Sequence, residues 1–158
     1  RNVIPDTLRV VCDWRVLPGT TAEHAVARLR DQLAAAGPLP DGLDFDVRFA
    51  FERQRTWTGL EEERRLFTPG FLLDPEHPIV RAAVGSLETS MKRTPSVRPW
   101  TFATDGGHAC GVYGIPTIGF APGEERFAHT NRERLSLDDA RAAYAAYPAL
   151  ISSLHAAL

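Results

Sequence analysis

The chain is poor in sulfur, with two cysteines, Cys12 and Cys110, and one methionine, Met91. Cysteines so far apart make neither a CxxC motif nor a disulfide framework, so a reducing, cytoplasmic setting is the expectation. No apolar run approaches the roughly 18–20 residues that span a bilayer. No charged segment followed by an apolar one opens the chain as a secretory leader would. Charge of one sign is not in excess either. Eighteen Lys and Arg against twenty Asp and Glu leave a net charge of −2, without a basic stripe. Neither nucleic acid nor a membrane is therefore an expected partner. P-loop, GxSxG and GxGxxG patterns are absent, as are internal repeats and low-complexity tracts. The chain opens on Arg1 and its single methionine lies at 91. A truncated or processed protein is expected.

What is present is an ordinary globular composition, 44% apolar and 24% charged over 158 residues, enough for one domain or two small ones. Residues 8–16 (LRVVCDWRV) alternate in polarity as a half-buried strand does. Pro18-Gly19 turns the chain, and Thr20 with Glu23 has the spacing of a capping box for a helix over 21–36. Its apolar stripe is Ala22, Val26, Leu29 and Leu33. Alternation returns from Leu43 to Phe51, predicting a second strand and a small α+β layer pair. Residues 53–75, with a charge run at 61–65, read as irregular and as the boundary between two units. A helix follows from Asp74-Pro75, with Val80, Val84, Leu87 and Met91 along one face. Short strands are predicted over 97–103 and 115–120, with a short helical segment at 108–113 between them. Ser136 with Asp139 caps a last helix that Pro148 should kink.

Residues able to carry chemistry concentrate between Thr104 and Glu133. Glycines in the TDGG loop let backbone approach a ligand, and backbone N–H groups can hold a carboxylate. An ordinary turn with Asp105 as helix cap is the other reading. His129 offers an imidazole lone pair of the kind that binds Zn²⁺, although a loop histidine alone is more often a surface residue. Arg15 presents a planar fork to a carboxylate, or else pairs with Asp13 or a cross-strand acid; Asn2 either joins it or supports a turn. His108 with Cys110 lacks an orienting third group for nucleophilic chemistry. Glu61-Glu62 and Glu124-Glu125 read as solvated charge, and Trp57 as packing.

Five segments in order carry a resemblance: NVIPD at 2–6, DWRVLPG at 13–19, TDGG at 104–107, GIPTIGFAPG at 114–123 and AHT at 128–130. Together they resemble the C-terminal part of the zinc-dependent M20 metallopeptidase and amidohydrolase family. The resemblance implies an α/β fold, with a partial dimerisation or lid domain at 1–67 and a C-terminal segment of the metal-dependent catalytic domain at 68–158. It implies that His129 is a metal ligand, that Asn2 and Arg15 bind the substrate carboxylate, and that Gly106 and Gly107 line the substrate pocket. It implies one or two zinc ions in an intact hydrolase of small peptides or N-acylated amino acids. The remaining ligands and the glutamate base belong to segments that this chain lacks, so no catalytic residue is expected here and the metal site is expected to be incomplete. Expected partners are a second copy in a homodimer or the N-terminal half. A non-catalytic dimerisation or binding module derived from the same family is the alternative. The sequence HTNRE, with Glu133 four residues after His129, departs from the family's pattern.

Overall fold

The computed structural model describes residues 5–158, which divide into two compact units, the first ending at Gly70 and the second spanning Phe71–Leu158. Its class is mixed: helices with a two-stranded antiparallel sheet. Among the described residues, no helix is long and apolar enough to cross a membrane.

In the first unit, helix α1 spans Ala22–Ala35. Its cap is Thr21, one residue later than the spacing predicts, because the Thr21 hydroxyl accepts the N–H of His24 at 3.2 Å. Glu23 does not close a capping box with Thr20; its carboxylate accepts from Arg65 at 2.9 Å instead. The core is thin. Ala22, Ala25 and Val47 are its buried apolar residues, and Arg30 ties the Val47 carbonyl to α1 at 2.8 Å. Phe49 and Phe67 meet edge to face at 5.7 Å. Gly70 is where backbone comes close: a Cβ there would stand 2.9 Å from the nitrogen of Pro18.

Two predicted strands turn out differently. Residues 8–16 form no ladder among the described residues, and Leu8, Val10 and Val11 are largely exposed. Alternation marks a strand only if a neighbour supplies backbone partners. The second strand is shifted: β1 spans Phe51–Arg55 and pairs antiparallel with β2, Glu61–Arg65, inside the stretch that reads as irregular. Its turn is a three-residue loop closed by the N–H of Thr56 donating to Leu60 O at 2.9 Å, with Gly59 at φ 88°. A glycine in the left-handed region is what such a loop requires. Both strands are exposed along their whole length.

The second unit is built on helices α2 (Pro78–Met91) and α4 (Leu137–Ala156), with the short α3 (Gly106–Ala109) between them. Helix α2 starts three residues later than the Asp74-Pro75 signal. His77 caps it through Nδ1, which accepts the N–H of Ile79 at 3.3 Å, and Pro78 takes the first turn, where no N–H is needed. Ala83 and Leu87 of α2 bury against Ala146 and Leu150 of α4, and Met91, Ile118, Phe120, Tyr147 and Leu154 surround them. The Tyr147 hydroxyl donates to the Phe120 carbonyl at 2.8 Å, pinning the loop before the cap of α4. Ser136 caps α4, accepting the N–H of Asp139 at 3.3 Å. The helix runs on through Pro148 without a break. Pro148 lies on the exposed side, so the carbonyl it leaves unbonded can be solvated. The predicted strands at 97–103 and 115–120 are not formed among the described residues. Ile118 and Phe120 still pack as the apolar pattern requires.

Candidate functional site

The residues singled out by sequence fall in both units. Asn2 lies outside the described residues. Arg15 is in the first unit, 64% exposed, with its Nε 3.9 Å from the Asp13 carboxylate. That contact matches the plainer of the two readings for Arg15. A pair so exposed is screened by solvent and leaves the guanidinium available to an anion.

The second unit holds the rest. The TDGG loop enters α3 with both glycines buried. The N–H of Gly106 donates to the Thr104 hydroxyl at 3.3 Å and that of Gly107 to the Thr104 carbonyl at 3.0 Å. Neither amide therefore points free at a ligand. Close packing accounts for the glycine at 106, since a Cβ would stand 2.6 Å from the Phe71 ring. Asp105 stands at the helix start without a side-chain capping bond.

His129 occupies a left-handed backbone position, φ 59°, uncommon for a residue other than glycine. Glu133 stabilises it by accepting the His129 N–H at 3.3 Å, and the turn is tightened by Thr130, whose hydroxyl donates to Phe127 O at 2.8 Å. The imidazole itself is exposed and meets Phe102 edge to face at 5.0 Å. Phe102 and Ala128 also line an open cavity of about 550 Å³, together with Arg98, Thr101, Gly123, Glu124, Glu125 and Arg126. The candidate ligand thus stands beside a hollow of the size that small ligands occupy.

Glu125 is a correction to the sequence reading. Far from being solvated, its side chain is only 12% exposed. It accepts the Thr101 N–H at 2.8 Å and faces Arg98 at 3.4 Å. These hydrogen bonds from Thr101, and then Arg98, hold its carboxyl below the ordinary value of 4.5. No local signal could have shown this, because the partner is 24 residues away on another loop. Its neighbour Glu124 is bound by Arg126, with Nε at 2.7 Å. A depressed carboxyl contributes stability that is complete above its unfolded pKa and fades as pH falls through the folded one. Glu125→Gln should therefore lower the melting temperature at pH 7 and flatten its decline below about pH 4.5. Thermal melts across pH 3–7 check this.

No group of three or more His, Cys, Asp or Glu side chains is placed to hold a metal ion among the described residues. His129 is one donor, and the nearby Glu133 is engaged with backbone. A catalytic zinc needs about three protein ligands, so the described residues do not by themselves fit such an ion.

No protein-family profile matches the chain. It is similar to YgeY of Escherichia coli K12, itself described as uncharacterized, with 32% identity over 151 residues. The same similarity extends to YgeY of E. coli O157:H7. The match covers 94% of this chain but 36% of those relatives, so the chain spans about a third of their length.

Proposed function

We propose that this chain is part of a metal-dependent hydrolase that cleaves amide bonds in small peptides or N-acylated amino acids, a member of the M20 group. The supporting observation is the placement of His129: held in a strained turn, its ring exposed, against the aromatic wall of a cavity of about 550 Å³. Strained backbone kept at a potential ligand is a pattern found at functional sites. Within this reading His129 contributes one donor to zinc, and segments outside the described residues contribute the others. Arg15 and Asn2 serve the substrate carboxylate. Gly106 shapes the loop by packing on Phe71, and the Gly107 amide is taken up by the Thr104 carbonyl. The second reading, a binding or dimerisation module without catalysis, draws support from the exposed apolar residues Leu8, Val10 and Val11.

Elemental analysis of the purified chain is the first test. Well under one zinc per chain is expected; one or two tightly held ions would mean that ligands come from a second copy or from other residues of this chain. The decisive assay uses the protein encoded by the whole reading frame. There His129→Ala should remove bound zinc and cut kcat/KM on N-acyl amino acids or dipeptides by more than the roughly 10–100-fold that loss of an outer-shell partner costs. Unchanged zinc content and turnover in that variant would sink the assignment.

A further inference from the structure

The cavity beside His129 carries a chemistry of its own that involves no metal. Two ion pairs form its polar wall: Arg98 with Glu125 at 3.4 Å, and Arg126 with Glu124 through Nε at 2.7 Å. In each pair the cation is the more exposed partner, 63% against 12% and 71% against 50%. The acids are drawn back, and the guanidinium groups are what the open space meets. Glu125 is held in that position by the Thr101 N–H at 2.8 Å. Arg126 lies over the Phe127 ring at 4.7 Å, which restrains its planar fork before any ligand arrives.

The groups left unspent on this wall are donors. A guanidinium offers only donors, and Arg98 gives Nη2 alone to Glu125, so its Nε and Nη1 have no partner among the described residues. Arg126 keeps Nη1 in the same state, and the Thr101 hydroxyl makes no bond there either. Charge points the same way. Arg134 lies over the same Phe127 ring at 4.5 Å and has no acid partner among the described residues. Arg98 and Arg126 offset the two glutamates of the wall, and Arg132 offsets Glu133 on the adjoining turn. Arg134 then leaves a single positive charge over. One negative charge completes the balance, whereas a dianion overshoots it. Phe102 and Ala128 make the rest of the wall apolar.

We propose that this cavity is a binding site for a monoanionic carboxylate carried on an aromatic or apolar stem. The unspent N–H groups of Arg98 and Arg126 hold the carboxylate, as charge-assisted bonds that a neutral amide cannot match. The stem lies against the Phe102 ring. At about 550 Å³ the cavity has the volume that a small ligand of this kind needs. The site uses different residues from the carboxylate contact expected at Asn2 and Arg15. It depends neither on zinc nor on amide cleavage, so it stands or falls apart from the proposed activity.

Titration of the chain as it stands with benzoate, followed by amide NMR, tests it. Saturable binding is expected, with a Kd on the order of millimolar for so small a probe. Its shifts should concentrate at Thr101, Phe102, Gly123 and Ala128. Benzamide, neutral and of the same shape, should bind about tenfold more weakly or worse. Inorganic phosphate, which carries more charge and no stem, should also bind more weakly than benzoate. Arg98→Gln and Arg126→Gln should each weaken benzoate by about tenfold. Arg126→Lys keeps the charge beside Glu124, and so the loop, but loses the fork; it should weaken benzoate by about threefold. No saturation by about 50 mM benzoate, well above a millimolar Kd, overturns the proposal. So does equal affinity for benzamide, tighter binding of phosphate, or unchanged affinity in the arginine variants.

Discussion

Replacing Leu150 with alanine should destabilise the second unit by about 2–5 kcal/mol. Leu150 is 3% exposed and belongs to the contact of α4 with α2, beside Ala83, Leu87 and Ala146. Two of its three buried neighbours are alanines, so within the buried cluster only Leu87 has side-chain mass that can move into the space that Leu150 leaves. The cost thus includes a residual cavity as well as the lost burial. For a unit of this size the melting temperature should fall on the order of 10–20 °C. The neighbouring Ile151, 63% exposed, is the internal control: Ile151→Ala should stay within about 0.5 kcal/mol. Chemical denaturation followed by circular dichroism compares them. Equal effects at 150 and 151 would mean that α4 packs through a different face.

Gly106→Ala is the second large effect expected. The added methyl would stand 2.6 and 2.7 Å from two carbons of the Phe71 ring and 3.1 Å from the Thr104 hydroxyl. Distances that short force the ring aside, and overpacking of this sort typically costs about 1–3 kcal/mol. The same Thr104 hydroxyl accepts the Gly106 N–H, so the capping turn of α3 is disturbed as well. A double-mutant cycle with Phe71→Leu separates causes. If the ring is the obstacle, the double variant should lie well short of the summed single effects, with coupling of about 0.5 kcal/mol or more. Strict additivity would show that position 106 needs glycine for another reason.

These two positions illustrate what the sequence could and could not convey. The α4 cap was legible because Ser136 and Asp139 are three residues apart, and its buried stripe because a helix repeats locally. Helix α1 was equally legible but for one residue at its cap, where two adjacent threonines compete and Thr21 holds the N–H of His24. Strands were read poorly. Residues 8–16 have the alternation but no ladder, whereas Glu61–Arg65 has the ladder without any alternation. Pairing is a property of two segments, and only the Thr56–Gly59 turn joins them locally. The site was legible as residue types and not as geometry. Nothing near His129 in sequence announces its left-handed backbone or the ring of Phe102 beside it. Gly106 stood out as a place of close approach, yet what approaches is Phe71.

The three tryptophans have a consequence for anyone who handles this protein. Trp57, at the tip of the β1–β2 loop, is 97% exposed, and Trp14 and Trp100 are 42% and 51% exposed. Indole emission shifts to the red in water, so the native chain should already fluoresce much as an unfolded one does. A spectrum of that kind is usually taken as a sign of denaturation; here it belongs to the native protein. Conversely, any blue shift on raising protein concentration would report water leaving an indole that the single chain keeps wet.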